Sequence, residues 1–156
     1  THIANLLLKN KQNEKISIRA VTHKQENVEK YKGLFPVHEV EWVVADLLDR
    51  DQTLEAIQGC THIIHCASIS KPKLVHMWFE QSNKIQNQGI EKMTKSMENI
   101  LAGCTKYKIQ KLIVTGSYTN YCGNGIQFND KFKSKYDEND FANSNFIYGY
   151  MKGKFL

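Results

Sequence analysis

Short apolar runs alternate with longer, more polar stretches along the chain, and this alternation limits the folds that the sequence can adopt. The apolar runs cover residues 16–21, 40–45, 61–66 and 111–115. Each has the length of a strand, and the run at 61–66 is nearly continuous in apolar residues, as expected of a central strand in a parallel sheet. Strands that are separated by helices form βαβ units, which require a parallel sheet with right-handed crossovers. The sequence therefore predicts an α/β fold with a doubly wound parallel sheet and helices on both faces.

Helical periodicity occupies the stretches between these runs. Residues 1–12 predict a helix that is already in progress at the first residue, and the lysine-rich stretch after the first strand is compatible with a second helix. Asp51 is the predicted N-cap of a helix that runs to about Gln58 and stops at Gly59. The longest helix is predicted over 83–107, where one apolar stripe is formed by Ile90, Met93, Met97, Ile100, Leu101 and Cys104.

Length and composition indicate a single domain. The chain has 156 residues, 41% of them hydrophobic, which is enough to bury one core. Because the first helix has no visible start, we expect sequence before Thr1 to be missing, and we expect the same beyond Leu156. The interpretation is one partial domain over 1–156.

Charge and cysteine content argue against several classes of function. The net charge of +5 comes from lysines spread along the chain, so a nucleic-acid partner is not expected. No apolar run reaches the roughly 18 residues of a membrane span and no signal peptide is recognisable, so we expect a cytoplasmic protein without a membrane partner. His62 and His65 would point to opposite faces of a strand, which argues against a shared metal ion. The cysteines lack Cys-x-x-Cys spacing and are interpreted as reduced, mostly buried thiols; they are Cys60, Cys66, Cys104 and Cys122.

Small, polar or charged residues follow each of the four predicted strands. In open α/β sheets, ligands bind outside the carboxyl ends of the strands, so these residues fall on the predicted ligand-binding edge. The sequence therefore predicts a nucleotide site there. The residues are His23 and Lys24, Asp46 and Leu47, Ala67 and Ser68, and Thr115, Gly116 and Ser117.

Two overlapping Tyr-x-x-x-Lys pairs lie near the end of the chain. They are Tyr148 with Lys152 and Tyr150 with Lys154. A spacing of four places both members of a pair on one face of a helix, where the ammonium group favours the phenolate form of the tyrosine. Either pair is suited to proton transfer, and the chemistry alone does not choose between them.

Four motifs occur in a fixed order: V-A-D-L-L-D at 44–49, I-Q-G-C-T-H-I-I-H-C-A-S at 57–68, L-I-V-T-G-S at 112–117, and the Tyr-x-x-x-Lys. Together they resemble the extended short-chain dehydrogenase/reductase superfamily and, within it, the NAD-dependent epimerase/dehydratase group. The likeness is greatest to the branch of dihydroflavonol reductases, cinnamoyl-CoA reductases and 3β-hydroxysteroid dehydrogenases, and it covers nearly the whole chain. It implies a Rossmann-type sheet, a nicotinamide cofactor, and hydride transfer involving a small carbonyl or alcohol substrate.

The resemblance implies roles for residues on the ligand-binding edge. Asp46 would accept a hydrogen bond from the adenine amino group and Leu47 would pack on the base, although Asp46 is also interpretable as a helix-capping or loop aspartate. Ala67 and Ser68 would let the ribose and phosphates approach the strand end, or would simply form a tight turn. Thr115 belongs to the same predicted cofactor edge.

The identity of the cofactor depends on the end of the first strand. His23 and Lys24 stand where an acidic residue would bind the ribose hydroxyls of NAD and a basic residue would bind the extra phosphate of NADP. No carboxylate occurs at these two positions, so NADP is favoured over NAD. A solvated Lys24 is the competing interpretation, and Arg19 is expected to face away from this site.

A Ser-Tyr-Lys triad is the catalytic apparatus that the resemblance implies. Ser117 would donate a hydrogen bond to the substrate carbonyl, the tyrosine would protonate its oxygen, and the lysine would hold the tyrosine acidic and grip the nicotinamide ribose. The family's local pattern favours Tyr150 and Lys154, because a small residue stands just before that lysine. Tyr148 and Lys152 remain the alternative pair.

The sequence also departs from the family. The glycine-rich phosphate loop between the first strand and the first helix is not in the sequence, nor is a substrate domain, so we expect this 156-residue piece to be inactive by itself. The alternatives are a sugar-nucleotide epimerase or dehydratase with the same triad, a non-catalytic NAD(P)-binding protein, and an inactive fragment. By analogy with related enzymes, a homodimer is compatible with the sequence.

Overall fold

The computed structural model describes residues 2–9, 16–35, 39–67 and 83–116. Helices and strands alternate along these residues, as predicted. The elements in chain order are α1 (His2–Lys9), β1 (Ile18–Thr22), α2 (Gln25–Lys32), β2 (Val40–Val44), α3 (Arg50–Ile57), β3 (His62–His65), α4 (Asn83–Tyr107) and β4 (Lys111–Val114).

The strands form two parallel pairs. β1 pairs with β2, with Ile18 opposite Val40 and Thr22 opposite Val44. β3 pairs with β4, and in that pair His62 lies opposite Lys111. Each pair is joined through a helix, α2 in the first case and α4 in the second, so each is a βαβ unit. The predicted α/β class with Rossmann-type parallel strands is confirmed.

The start of α3 differs from the prediction, because the N-cap is Asp49 and not Asp51. Asp49 has an extended backbone, and its carboxylate accepts hydrogen bonds from the backbone amides of Asp51 and Gln52 at 2.9 and 3.1 Å. These bonds, the one from Gln52 above all, hold the pKa of Asp49 below its usual value. Asp51 lies inside the first turn, where a carboxylate can complement the helix dipole but cannot cap.

The end of α3 follows the prediction. Gln58 and Gly59 form a turn that the amide of Cys60 closes by donating to the carbonyl of Ile57 at 3.0 Å. Gly59 has a φ of 79°, a left-handed conformation that glycine adopts without a steric penalty. Gly59 is therefore the stop signal that the sequence indicated.

The packing of α3 against α4 supplies much of the core near the site. Ile57 and Ala56 of α3 and Ile100 of α4 are buried. Gly103 of α4 is also buried, and its missing side chain allows close approach, because a Cβ there would lie 2.8 Å from Ile57 Cδ1. The two helices therefore fit together through a small residue on one and a branched apolar residue on the other.

The prediction that β3 is a central strand stays a prediction, since among the described residues β3 is hydrogen-bonded to β4 and Ile64 is 38% exposed. One expectation about burial is not met. The thiols were predicted to be mostly buried, but Cys60 and Cys104 are half-buried and Cys66 is exposed. Cys66 is exposed because it follows the end of β3 and lies at the rim of a groove between the strands, which Ile64 also lines. Cys122 lies outside the described residues.

None of the helices that the structure describes combines the length and the apolar content that crossing a lipid bilayer would require.

Candidate functional site

A groove of about 360 Å³ lies between β1 and β3 and is called here the β1–β3 groove. Both strands line it along their length, and Ile57 of α3 and Ile100 of α4 add apolar side chains. At the carboxyl ends of the strands the lining includes His23, Leu47 and Ala67. The structure therefore brings together three of the residues that the sequence predicted for cofactor binding.

The end of β1 presents a mixed charge. His23 and Lys24 are exposed, and Lys24 stands at the N-cap position of α2 without using its side chain as a cap. The Lys24 ammonium forms no ion pair with any residue that the structure describes. Glu26 in the first turn of α2 is also exposed, so a carboxylate stands two residues beyond the lysine. This edge offers a cation for an anionic ligand, with one competing negative charge nearby.

The end of β2 is a tight turn that Asp46 organises. Its carboxylate oxygen Oδ1 accepts a hydrogen bond from the Leu48 amide at 2.9 Å, and its carbonyl accepts one from the Asp49 amide at 3.0 Å. The Asp46 amide donates to the side-chain oxygen of Gln52 at 3.0 Å. Asp46 is thus a turn-forming aspartate, as the competing interpretation held, and it is also exposed beside Leu47, which reaches into the groove.

Two fully buried polar side chains support this turn from below, and sequence reasoning missed both. Asn99 of α4 donates from Nδ2 to the carbonyls of Leu47 and Leu48 at 2.9 and 3.2 Å. The Thr53 hydroxyl of α3 lies 3.2 Å from the Leu47 carbonyl and 2.7 Å from the Asp49 carbonyl. Both side chains have 0% exposure. The only sequence signal is the position of Asn99 beside the apolar stripe of α4, which does not by itself identify a buried asparagine.

The ends of β3 and β4 are tied together by Thr115. Its amide and its hydroxyl lie 3.0 and 3.3 Å from the carbonyl of His65. Thr115 does not line the β1–β3 groove, whereas Ala67 does. The Thr115 hydroxyl therefore joins the two strands, and its predicted contact with a cofactor stays a prediction.

Arg19 lines the groove, but its guanidinium reaches the end of α3 and not the carboxyl end of β1, so the expectation that it faces away from the nucleotide site is not contradicted. Its Nε lies 2.8 Å from the Glu41 carboxylate on the neighbouring strand, and this hydrogen bond is the main cause of a raised pKa for the guanidinium. Its Nη1 donates to the carbonyls of Ala56 and Gln58 at 3.1 and 2.6 Å. Arg19 thus binds the end of α3 to β1.

The remaining predicted site residues lie outside the described residues, so their positions stay predictions. They are Ser68, Ser117, Tyr148, Tyr150, Lys152 and Lys154. Within the described parts of the chain, no group of three or more histidine, cysteine, aspartate or glutamate side chains is placed to hold a metal ion.

Comparison with solved structures shows the same fold in other proteins. A crystal structure of a protein called gox2253 has a TM-score of 0.63 and 16% identity, and the match covers 98% of this chain and 40% of that one. The X-ray structure of Pen from Bacillus thuringiensis has a TM-score of 0.57 and 14% identity, with 75% of this chain and 35% of that one covered. The matched part is thus well under half of either relative's length. At these identities the likeness shows the fold alone.

Comparison with sequence families is more specific. No curated protein sequence matches the chain significantly. The model of the NAD dependent epimerase/dehydratase family matches residues 1–155, which is nearly every residue of the chain. The chain belongs to the NAD dependent epimerase/dehydratase family.

Proposed function

We propose that the intact protein is an NAD(P)-dependent oxidoreductase that transfers hydride between a nicotinamide cofactor and a small carbonyl or alcohol substrate. The observation that carries the proposal is that His23, Leu47 and Ala67, which follow three different strands, come together at the carboxyl ends of those strands. Ligands of parallel α/β sheets bind at this edge. Membership of the family supports the proposal, because its members are typically enzymes that bind a nicotinamide cofactor.

The described residues fit the adenosine half of such a cofactor. Asp46 is exposed, and its Oδ1 is engaged by the Leu48 amide, while no described residue donates to its Oδ2. That oxygen can accept a hydrogen bond from the amino group of adenine, and the half-buried Leu47 offers an apolar surface for the base. Ala67 has the smallest side chain that still carries a Cβ, which allows ribose and phosphate close to the end of β3.

We favour NADP over NAD because the end of β1 carries a cation. The exposed Lys24 ammonium has no ion pair with a described residue, so it can bind the extra phosphate of NADP without breaking an existing contact. His23 beside it can donate a further hydrogen bond. Glu26 opposes this choice, since its carboxylate would repel a phosphate that approached the start of α2.

The bound nicotinamide would supply or accept the hydride. Of this chain's own residues, Ser117 would donate a hydrogen bond to the substrate oxygen and so hold the carbonyl in place. Tyr150 would give the proton to that oxygen, and the Lys154 ammonium would favour the phenolate that is left. Tyr148 and Lys152 form the alternative pair for the same roles.

A second candidate is a sugar-nucleotide epimerase or dehydratase, which the family match itself favours. Such enzymes oxidise their substrate transiently and re-reduce it, so the cofactor is regenerated within one turnover. The two candidates differ in how the cofactor behaves. A nucleotide that stays bound through purification favours the epimerase, whereas NADPH that exchanges freely and is consumed in turnover favours the reductase.

The test is a titration of the intact protein with NADPH and NADH, followed by the fluorescence of the reduced nicotinamide. We expect tighter binding of NADPH, and we expect Lys24→Ala to reduce the preference for NADPH about tenfold, as loss of one charged hydrogen bond would. Lys92→Ala is the matched control, because Lys92 is an exposed lysine of α4 away from the groove, and its preference should equal that of the wild type. A folded, intact protein that binds neither nucleotide would refute the proposal.

Variants of the two tyrosines distinguish an enzyme from a non-catalytic binding protein. With a carbonyl substrate found by screening, Tyr150→Phe should abolish the oxidation of NADPH while Tyr148→Phe leaves most of it. The reverse result would assign catalysis to Tyr148 and Lys152. Turnover that survives in a variant carrying both substitutions would exclude both of these tyrosines as the acid, and binding without any turnover would support a non-catalytic NAD(P)-binding protein.

A further inference from the structure

Asn99 is a buried polar side chain whose recognised hydrogen bonds are all made by its amide nitrogen. It has 0% exposure, and its Nδ2 donates to two carbonyls that lie more than fifty residues earlier in the chain, those of Leu47 and Leu48. Its Oδ1 is also buried, and no residue within the described ranges donates a hydrogen bond to it. Burying an amide whose acceptor is unsatisfied is less favourable than burying leucine at the same position. The side chain must therefore be explained by what its Nδ2 does.

The target of that Nδ2 is the turn at 46–49, called here the Asp46 turn. The amides of Leu48 and Asp49 point inward, toward the carboxylate and the carbonyl of Asp46. Its carbonyls point toward α3 and α4, where they accept hydrogen bonds from the side chains of Thr53 and Asn99. Among the described residues, Asn99 is the donor recorded for the Leu48 carbonyl. Without it, that partly buried carbonyl loses its donor, and the peptide that carries it gains freedom to rotate.

The orientation of this turn decides where two predicted cofactor contacts point. Asp46 presents its carboxylate from the first position of the turn, and Leu47 lines the β1–β3 groove from the second. Leu47 supplies the carbonyl of one peptide that Asn99 holds, and the amide of that same peptide, which belongs to Leu48, donates to the Asp46 carboxylate. A rotation of these peptides would move the Asp46 carboxylate relative to the groove, although no contact of Asp46 itself would have been removed.

We propose that Asn99 is a positioning residue for recognition of the adenine amino group: it holds the Asp46 turn in the orientation that aims the Asp46 carboxylate at that group. The inference rests on the proposed function, since it names a residue that helps the proposed nucleotide site recognise adenine. Thr53 shares the task, because its hydroxyl lies within hydrogen-bond distance of the same Leu47 carbonyl.

The test compares NADPH with its reduced hypoxanthine analogue, in which an oxygen replaces the amino group of adenine. The two ligands differ at the amino group that Asp46 would bind and at the neighbouring ring nitrogen, which carries a proton in hypoxanthine, so their affinity ratio reports how the carboxylate meets this edge of the base. The intact wild-type protein should bind NADPH at least about tenfold more tightly. The Asn99→Leu variant, which keeps the branching and the number of heavy atoms and removes the donor, should bring the ratio to within about twofold of unity.

The control is Phe35→Leu, a conservative change in the core. Phe35 is buried and packs on Trp42 with 5.9 Å between the ring centroids, and it lines neither the groove nor the Asp46 turn. This variant should lose stability and keep the wild-type ratio. If Asn99→Leu does not fold, Thr53→Val is measured in its place, since it removes the hydroxyl near the Leu47 carbonyl and keeps the shape.

The outcomes separate the inference from the function on which it rests. A wild-type protein that binds neither ligand refutes the proposed function and the inference with it. A wild-type protein that binds both equally refutes the role of Asp46, and so also that of Asn99. If the wild type shows a ratio of tenfold or more and Asn99→Leu keeps it, the inference alone is overturned. If Phe35→Leu abolishes the ratio as Asn99→Leu does, Asn99 acts only through global stability, and the inference is overturned as well.

Discussion

Gly103 lets α4 approach α3, and a side chain at this position should push the helices apart. A Cβ on Gly103 would lie 2.8 Å from Ile57 Cδ1, 3.4 Å from Ile57 Cγ2 and 3.5 Å from Leu54 Cδ2. The first distance is below what carbon atoms tolerate, so Ile57 must move. Because Ile57 is itself buried, it has no solvent into which to move. Asn99 stands one helical turn before Gly103, so the same shift would disturb its bonds to the Asp46 turn.

The size of the effect follows from two opposing contributions. Overpacking a core by a methyl group costs about 1–3 kcal/mol, while replacing glycine by alanine inside a helix recovers about 1 kcal/mol. Gly103→Ala should therefore lower the free energy of unfolding by up to about 2 kcal/mol. Gly89 lies on the same helix, and a Cβ there would meet nothing within 4 Å. Gly89→Ala should raise the free energy of unfolding by about 0.5–1 kcal/mol.

The assay is urea unfolding of both variants and of the wild type in the intact protein, with the slope of the transition checked for equality. The same chemical change on the same helix should give opposite signs, and the two variants should differ by about 1–3 kcal/mol. Equal stabilisation by both substitutions would show that α3 and α4 do not pack closely at Gly103, and it would refute the reasoning.

Two further predictions concern helix ends. Lys108, which follows α4, has a φ of 53°, and the next amide, that of Ile109, donates to the Cys104 carbonyl at 3.0 Å. Because glycine adopts this left-handed conformation without strain, Lys108→Gly should raise the free energy of unfolding by about 1 kcal/mol. Thermal unfolding checks this, and a loss of stability would contradict it. The pKa of Asp49 is lowered by the bonds it accepts, so the stabilisation from its charged form is complete above the ordinary pKa of aspartate and is lost as the pH falls through the lowered value. Asp49→Asn keeps a capping side chain but removes its charge. The melting temperature of this variant should lie below that of the wild type at neutral pH, and the two should converge in acid. A difference in melting temperature that does not change with pH would show that the charge contributes nothing.

The hydrophobic periodicity and the residues that begin or end helices predicted the elements of this chain well, because both signals are local in sequence. The stripe of α4 identified a helix over Asn83–Tyr107, and Gly59 marked the end of α3 because only a left-handed residue fits the turn there. The N-cap of α3 was misassigned because Asp49 and Asp51 are equally good caps by type. Their backbone angles decide between them, and these depend on how the turn after β2 enters the helix.

Long-range contacts account for what the sequence did not reveal. Asn99 and the Asp46 turn are about fifty residues apart, and no spacing rule links an asparagine on a helix to carbonyls after a strand. The partners of Arg19 were not predicted for a similar reason, since its contacts at the end of α3 and on β2 become neighbours only when the sheet forms. The ligand-binding edge was predictable, because the carboxyl ends of parallel strands converge in every sheet of this kind.

The most direct measurement is protection of Cys66 by the nucleotide. Cys66 is exposed and lines the β1–β3 groove beside Ala67, whereas Cys104 is half-buried on α4 and lines no part of that groove. The rate of alkylation of each thiol in the intact protein is followed by mass spectrometry of the peptides. At NADPH ten times above its dissociation constant, alkylation of Cys66 should slow about tenfold while that of Cys104 stays the same. An unchanged rate at Cys66 under saturating NADPH would place the cofactor elsewhere and contradict the assignment of the groove.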